Sequence, residues 1–455
     1  MEDPEGRRLP IKLDATSNGE FVPVPLSGAN REANRRAHEA ASANAKRLGL
    51  TRRGFLVSTC GAASTLLAFN AANAAAGVSG GSFGLPAEAA LEPQLAQAAL
   101  GGKGEFVFDV QGHFIDTPKG NPKGPEVFIK DVFLDSDTDM MVLSFVPSAR
   151  NAEPVTIEAA DAVRRIVDRL EGTHRLLLHG RVNPNQPGDL EGMDELKERW
   201  GVSAWKTYTQ YGPGGRGYFF TDDTGIRFIE KARALGVKVI CVHKGLPFGR
   251  RSYEHSQCTD IGPIAKRFPD VKFLIYHSGF VTAVREQAFD PGAARDGIDT
   301  LVRSLLENGV GPGSNVYAEL GSTWRFLMRD PGQAAHALGK LLKYCGEDNV
   351  LWGTDSIWYG SPQDQIQAFR AFQISEELRA QHGYPAITPA VRAKVFGLNA
   401  AQVYGIGAAE VKKYLARDRV SSERAAYLER PEPHFRTYGP KTRRAFLALA
   451  PHLPE

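Results

Sequence analysis

Residues 105–116 read Glu-Phe-Val-Phe-Asp-Val-Gln-Gly-His-Phe-Ile-Asp. The apolar run Phe106–Phe108 favours a β-strand, and Asp109, Gln111 and His113 follow at alternate positions. Because side chains alternate between the two faces of a strand, these three polar side chains should point to the same side. The stretch therefore predicts a strand that presents a polar cluster at its carboxyl end.

Four later apolar runs end in the same way, each at one ionisable side chain. They are Ser203–Lys206, Val237–His243, Val271–His277 and Val350–Asp355. Apolar runs and amphipathic segments alternate through this region in about 250 residues, the usual size of a (β/α)₈ barrel. Such barrels carry their active sites at the carboxyl ends of the strands. We therefore predict the α/β class, specifically a (β/α)₈ TIM-type barrel with added C-terminal helices.

The overall composition excludes some classes of protein but does not choose among enzymes. The chain has 455 residues, of which 42% are apolar and 24% charged, as in ordinary globular proteins. A formal net charge of +3 gives no argument for a nucleic-acid partner, and we expect none. Four cysteines without C-x-x-C spacing indicate neither a zinc knuckle nor a disulfide framework.

The N-terminal region resembles a twin-arginine export signal with a long polar segment ahead of it. Arg52-Arg53 precedes a mildly apolar, Ala-rich stretch, and Ala72-Asn73-Ala74 supplies small residues of the A-x-A type. The apolar stretch is too short and too interrupted for a membrane span. We expect the twin-arginine translocation machinery as a partner, a periplasmic or secreted location, and a mature chain that begins near Ala75.

These patterns divide the chain into four parts. Residues 1–74 are expected to be the export signal, with no part in the fold, and residues 75–104 a linker rich in Ala and Gly. Residues 105–410 form the predicted barrel. Residues 411–455 are expected to be a helical or loosely ordered extension. A homodimer is the default expectation for the assembly.

The ordered series of strand-end residues is similar to the amidohydrolase superfamily. The residues that carry the likeness are Asp109-Val110-Gln111-Gly112-His113, Lys206, His243, His277 and Asp355. The segment Phe396–Gly405 is also similar to the closing Gly-x-Asn-Ala-x-x-x-Tyr-Gly segment of the amidohydrolase-related group, which includes aminocarboxymuconate-semialdehyde decarboxylase, aromatic-acid decarboxylases and lactonases.

The resemblance implies one divalent metal ion, expected to be zinc, with manganese as the alternative. It implies His113, His243 and Asp355 as ligands, with Gln111 as a poor fourth, and it places His277 against the substrate or the attacking water. The family pattern has His-x-His where this chain has Gln111-x-His113. An amide oxygen is a weaker ligand for zinc than an imidazole nitrogen, so the metal site departs from the family at this position.

The remaining candidates are interpreted from their chemistry. His277 and Asp355 are the candidates for proton transfer. Lys206 suits a substrate carboxylate or phenolate, with an ion pair to Glu319 or Asp355 as the alternative. His179 and Arg181, near the end of the third strand, are further candidates for the substrate site, or ordinary polar groups of a loop.

The function predicted from the sequence is metal-dependent hydrolysis of a small carboxylated or cyclic substrate, which could be aromatic. One alternative is decarboxylation of an aromatic acid on the same scaffold. A second alternative, which the substitution at Gln111 keeps open, is a barrel that binds no metal and serves as a binding protein.

Overall fold

The computed structural model describes residues 3–102, 104–117, 121–150, 152–169, 174–247, 253–293, 295–416 and 418–449. The strands, in chain order, are β1 Gly81–Phe83, β2 Phe108–Gly112, β3 Ile115–Thr117, β4 Asn121–Lys123, β5 Met140–Leu143, β6 Leu176–Arg181, β7 Ala204–Tyr208, β8 Val239–His243, β9 Lys272–Tyr276, β10 Val316–Glu319, β11 Val350–Leu351 and β12 Phe372–Ile374.

The helices up to β11 are α1 Gly28–Arg47, α2 Arg52–Leu56, α3 Thr59–Ala75, α4 Pro93–Leu100, α5 Pro125–Ile129, α6 Ile157–Arg169, α7 Met193–Glu198, α8 Asp223–Ala234, α9 Tyr253–Ser256, α10 Ile261–Arg267, α11 Ile298–Glu307, α12 Thr323–Leu327 and α13 Pro331–Tyr344. Those that follow β11 are α14 Gln363–Ala371, α15 Glu376–His382, α16 Pro389–Ala393, α17 Asn399–Tyr404, α18 Ala408–Ala416, α19 Arg419–Glu429 and α20 Arg443–Leu449.

Eight strands form one parallel sheet in the order β11-β10-β9-β8-β7-β6-β5-β2. The two outer strands meet through backbone hydrogen bonds, from Val110 N to Trp352 O at 3.0 Å and from Asp355 N to Gln111 O at 2.9 Å. The sheet therefore closes on itself into a nearly complete barrel. This confirms the predicted (β/α)₈ architecture, with helices between successive strands.

The interior of the barrel is filled by strand side chains, as the alternation of each strand requires. One apolar cluster joins Val110, Cys241, Leu274 and Leu351, and Tyr404 of α17 packs against it. The C-terminal helices predicted at the edge of the barrel are present as α14 to α20. All four cysteines are buried and none forms a disulfide.

The N-terminal region differs from the expectation that residues 1–74 play no part in the fold. Its apolar side chains belong to the same core cluster as those of the barrel helices. Helix α1 carries a stripe of buried alanines at four-residue spacing, Ala33, Ala37, Ala41 and Ala45, and this helix packs on α3. The alanine stripe allows close approach of two helices, so the Ala-rich sequence serves packing. Export and cleavage themselves stay predictions.

Residues ahead of α1 lie along the barrel and are held by buried ion pairs. Lys12 Nζ lies 3.2 Å from Asp364 Oδ2, and Arg325 Nη2 lies 2.5 Å from Asp14 Oδ1. All four side chains are at most 3% exposed, so each charge depends on its partner. These two pairs direct the chain toward the carboxyl ends of the strands.

The expected linker and the C-terminal extension also contain regular structure. Within residues 75–104, β1 pairs antiparallel with β12, and α4 packs against α14. In the extension, Asp418 forms a fully buried ion pair with Arg175 at the start of β6. No helix in the described part of the chain is both long and apolar enough to cross a membrane.

Candidate functional site

The predicted strand-end residues meet at one end of the barrel. His113 follows β2, Lys206 lies in β7, His243 ends β8, His277 follows β9 and Asp355 follows β11; all are 3% exposed or less. Because parallel strands end at the same face, residues far apart in sequence become neighbours there.

The backbone is strained at two of these positions. His277 has a φ of 64° and Asp355 a φ of 59°, both in the left-handed region that residues other than glycine rarely adopt. Each lies where its strand ends and the chain turns outward. Strain of this kind collects at functional sites, where it holds a side chain in one direction.

Asp355 is the centre of the first half of the site. Its Oδ1 lies 3.0 Å from His113 Nε2 and accepts a hydrogen bond from Gln111 Nε2 at 3.1 Å. Its Oδ2 accepts from Ser322 Oγ at 2.5 Å. Burial acts to raise the pKa of Asp355, but the hydrogen bond and charge of His113 outweigh it and hold that pKa below its usual range. The carboxylate is therefore ionised at neutral pH.

Gln111 donates to Asp355, and its amide oxygen points elsewhere. That oxygen is buried, has no hydrogen-bond partner, and would lie 2.1 Å from a Cβ placed on Gly321. An amide NH₂ group cannot bind a metal ion. In this structure Gln111 supports Asp355 through its amide nitrogen, and its expected role as a poor fourth ligand stays a prediction.

His243 and His277 form the second half of the site. His243 Nε2 lies 3.1 Å from Gly245 O, and His277 Nδ1 lies 2.7 Å from Gly321 O, so both nitrogens are donors to backbone carbonyls. The other nitrogens, His243 Nδ1 and His277 Nε2, are 3.2 Å apart. Burial lowers the pKa of His277 to about 4 and that of His243 well below its usual value.

Two side chains from the N-terminal segment complete this half of the site. Glu20 Oε1 lies 3.4 Å from His243 Nδ1, and Glu20 Oε2 lies 3.7 Å from His277 Nε2. Asn18 Nδ2 donates to Glu20 Oε2 at 2.5 Å and to Asp355 Oδ2 at 2.7 Å, so it connects the two halves. Burial and the charge of Asp355 raise the pKa of Glu20 well above its usual value.

Lys206 is a buried cation without a hydrogen-bond partner among the described residues. Its ammonium nitrogen lies 3.7 Å from the ring centre of Tyr276 and 4.7 Å from that of Tyr208. Burial lowers the pKa of Lys206 to about 8. Among the described residues Lys206 forms no ion pair with Glu319 or Asp355, which was the alternative interpretation.

Glu319, at the end of β10, supports the loop that carries His277. Its carboxylate accepts from the backbone N–H of His277 at 3.0 Å and of Gly321 at 2.6 Å. Burial raises the pKa of Glu319 to about 8. The Glu319 side chain therefore holds the backbone around the site in place. The only sign of this residue in the sequence was its position at the end of an apolar run.

His179 and Arg181, the two further candidates, have their polar groups occupied by protein. His179 Nδ1 lies 3.1 Å from Ser144 Oγ, and its Nε2 lies 3.2 Å from Tyr404 Oη, on the inner side of the barrel. Arg181 pairs with Glu153 at 2.8 Å and Asp189 at 3.3 Å.

A cavity of about 380 Å³ adjoins the barrel mouth beside this arginine. Phe145, Arg150, Arg181 and Trp200 are among the residues that line it. Tyr208 lies between the cavity and the buried centre, because its hydroxyl donates to Phe145 O at 2.8 Å while its ring stacks on His243 at 5.0 Å.

The donor set of the site fits a divalent metal ion. Imidazole nitrogens and carboxylate oxygens are the ligands that zinc and manganese accept. Among the described residues, the atoms of Glu20, His243 and His277 lie within 4.8 Å of one another, whereas His113 and Asp355 lie beside this group and pair with each other. A second such group, Asp131, Asp135 and His434, lies away from the barrel mouth, against the C-terminal extension.

Asn18, Glu20 and Ser322 were not predicted from the sequence as residues of the site. Asn18 and Glu20 lie in a polar segment ahead of the arginine pair, which gave no local sign of contact with the barrel. Ser322 has a φ of 53° and follows Gly321, so the Gly-Ser turn after β10 was the only signal available.

Solved structures with similar folds include three enzymes. 5-Carboxyvanillate decarboxylase LigW from Sphingomonas paucimobilis has 14% identity, 66% coverage of this chain and 99% of its own, and a TM-score of 0.40. 2,6-Dihydroxybenzoate decarboxylase from Rhizobium has 15% identity, coverages of 67% and 99%, and a TM-score of 0.37. 4-Oxalomesaconate hydratase LigJ from Rhodopseudomonas palustris has 17% identity, coverages of 68% and 98%, and a TM-score of 0.40.

No protein among curated sequences matches this chain. The family model described as Amidohydrolase matches residues 108–406, which is more than half of the chain and includes every barrel strand of the site. The chain belongs to the Amidohydrolase family, a family of enzymes.

Proposed function

We propose that the protein is a metal-dependent hydrolase that acts on a small carboxylated substrate with a cyclic body, aromatic rings included. The observation that carries the proposal is the ammonium group of Lys206, which is fully buried and lacks a hydrogen-bond partner among the described residues. An unpaired buried cation is costly to the fold, and an anionic substrate group would compensate it. A carboxylate is the anion that suits this position best.

The proposed cofactor is one zinc ion, with manganese as the alternative. His113, His243 and Asp355 are the residues that would hold it by resemblance to the family, and each lies at the barrel mouth. When bound, such an ion polarises the scissile carbonyl and makes water a better nucleophile at neutral pH.

The protein's own residues would then bind, orient and move protons. Asp355 is ionised and would accept the proton of the attacking water, while Ser322 and Asn18 fix the direction of its carboxylate. His277 is the second candidate for proton transfer. The rings of Tyr208 and Tyr276, which flank Lys206, would wall the cyclic body of the substrate.

The proposal is tested with a panel of lactones, cyclic amides and hydroxylated aromatic acids, all bearing a carboxylate. Ring opening measured by proton release in a pH-stat supports hydrolysis, and it should disappear in Lys206→Met. Release of carbon dioxide without hydrolysis would favour the decarboxylase instead. No turnover of any compound, together with tight binding of one, would favour a binding protein.

Export by the twin-arginine route is a separate proposal, as is a homodimer. Arg52 and Arg53 are exposed on α2, where a translocation receptor could reach them. The route carries folded proteins, which agrees with the packing of α3 against α4. That packing favours retention of the segment over cleavage near Ala75. Cell fractionation with N-terminal sequencing tests export and cleavage, and light scattering tests the dimer.

A further inference from the structure

The N-terminal segment brings a carboxylate into the barrel mouth from outside the family match. Glu20 lies 88 positions ahead of residue 108, where the match begins. Buried ion pairs at Lys12 and Asp14 fix the course of the segment, and the side chain of Glu20 is only 11% exposed. A buried carboxylate costs free energy unless a proton or a cation neutralises it, and a bound divalent ion would let Glu20 stay ionised here.

A cation between Glu20, His243 and His277 would satisfy the groups that surround this carboxylate. His243 and His277 each use one N–H on a backbone carbonyl, so a neutral ring presents a lone pair at its other nitrogen. These nitrogens face each other at 3.2 Å, and the oxygens of Glu20 face both. One potential ligand atom from each of the three side chains therefore lies within 4.8 Å of the other two. Metal-binding histidines characteristically donate their second N–H to a backbone carbonyl or carboxylate, as both rings do here.

The spacing of the three acceptors matches the coordination shell of a small ion. A tetrahedral ion with bonds of about 2.0–2.2 Å holds its ligand atoms about 3.3–3.6 Å apart. The two imidazole nitrogens are 3.2 Å apart, His243 Nδ1 lies 3.4 Å from Glu20 Oε1, and His277 Nε2 lies 3.7 Å from the other oxygen, Oε2. One ligand atom from each of the three residues lies within 4.8 Å of the other two. A rotation of the Glu20 carboxylate together with small shifts of both rings would bring one oxygen and the two nitrogens to bonding distance.

Asn18 holds the carboxylate in this position. Its side-chain oxygen accepts from the backbone N–H of Glu20 at 2.9 Å, and its Nδ2 donates to Glu20 Oε2 and Asp355 Oδ2. The Asn18 amide therefore connects Glu20 to Asp355, the carboxylate at the end of the last barrel strand. In this chain Gln111 occupies the position of a family histidine and turns its amide nitrogen, rather than its oxygen, toward Asp355.

We propose that Glu20 is a metal ligand, which binds the divalent ion together with His243 and His277 and replaces the ligand lost at Gln111. The inference rests on the proposed function and makes it specific. With His277 as a metal ligand, only Asp355 remains of the two candidates for proton transfer. It also requires that the working enzyme retain its N-terminal segment.

The test is a zinc titration of the full-length protein against a chromophoric chelator, with Glu20→Gln as the variant. Removal of a supporting group around a metal costs about 10–100-fold in affinity, and loss of a ligand should cost at least as much. We expect zinc affinity to fall by about 100-fold or more in Glu20→Gln. Glu39→Gln is the matched control, because Glu39 is an exposed glutamate of α1 that pairs with Arg35. The zinc affinity of this variant should equal that of the wild-type protein.

Cobalt substitution gives a second readout that does not depend on activity. The visible spectrum of the Co²⁺ protein should change in Glu20→Gln and stay unchanged in Glu39→Gln. Should Glu20→Gln fail to fold, Glu20→Asp serves the same purpose, because its shorter carboxylate should alter the cobalt spectrum.

The outcomes separate this inference from the proposed function. Unchanged zinc affinity and an unchanged cobalt spectrum in Glu20→Gln would overturn the role of Glu20 and leave the metal enzyme intact. A mature, active chain that begins near Ala75 would overturn it too. Absence of zinc binding in the wild-type protein would overturn both.

Discussion

Asn18 donates a hydrogen bond of 2.7 Å to Asp355, although 337 positions separate the two residues in the sequence. The contact joins the N-terminal segment to the carboxylate at the end of the last barrel strand. Because both residues are at most 3% exposed, the segment is part of the site and not only a cover over it. The chemistry at the barrel mouth therefore depends on two regions of the chain that sequence patterns treat as separate.

Replacement of Asp355 by asparagine should abolish proton transfer while the fold remains. Asparagine tolerates the positive φ of 59° at this position, so the backbone should keep its course. We expect turnover to fall by roughly 10²–10⁴-fold, the usual contribution of a general base. Steady-state kinetics measures the loss, and circular dichroism verifies the fold. Asp348→Asn is the control, since Asp348 is a 63% exposed carboxylate just ahead of β11, and full activity in Asp355→Asn would refute the role of Asp355.

The activity should decline at alkaline pH because Lys206 loses its charge. With a pKa of about 8, the ammonium is present below that pH and is lost as pH rises through it. We expect kcat/KM for a carboxylated substrate to fall about tenfold per pH unit above pH 8. In Lys206→Arg the charge persists, so the same limb should move to higher pH. A flat profile to pH 9.5 in the wild-type protein would contradict the assignment.

The buried charge of Lys206 should also lower the free energy of unfolding of the protein. In Lys206→Met we expect the free energy of unfolding at pH 7 to rise by about 1–3 kcal/mol, since an unpaired buried donor is removed. The folded pKa of about 8 lies below the ordinary value of 10.5, so the folded state releases its proton first. The gain should therefore be full below pH 8 and shrink between pH 8 and 10.5.

Denaturant unfolding at several pH values measures this effect. Lys238→Met is the control, because Lys238 is a 47% exposed lysine paired with Asp270, and its change should stay within about 0.5 kcal/mol. A loss of stability in Lys206→Met would show that Lys206 has a structural partner.

The buried pair between Asp14 and Arg325 should anchor the N-terminal segment. Asp14→Asn leaves the guanidinium of Arg325 without its carboxylate, so we expect a loss of about 3 kcal/mol in unfolding free energy. Limited proteolysis should also cut ahead of α1 faster than in the wild-type protein. Glu39→Gln breaks an exposed pair with Arg35 and should change neither measurement. Equal protease resistance in both variants would mean that other contacts hold the segment.

The barrel and its inner residues could be predicted because they follow from local patterns. Each apolar run that ends at one ionisable residue contains a strand of the barrel. The carboxyl ends of parallel strands lie at the same face of a barrel, so these residues are neighbours. Lys206, His243 and Asp355 were found in this way. The direction of His179 could not be read, since its ring turns toward Tyr404 and Cys241, which approach from other elements.

The contribution of the N-terminal segment could not be predicted, for a physical reason. Asn18 and Glu20 have no strand or helix period around them, and their contacts lie across the whole length of the chain. The Ala-rich stretch after Arg52-Arg53 suits both an export signal and a close-packed helix, because small residues serve each purpose. Composition alone cannot separate these interpretations.

The most direct test of metal dependence is the metal content of the purified full-length protein, measured by plasma mass spectrometry beside Gln111→His. We expect close to one zinc or manganese ion per wild-type chain, held by the carboxylates and imidazoles of the barrel mouth. A metal-free wild-type protein, with metal gained only by Gln111→His, would contradict it and indicate a metal-independent catalyst or a binding protein.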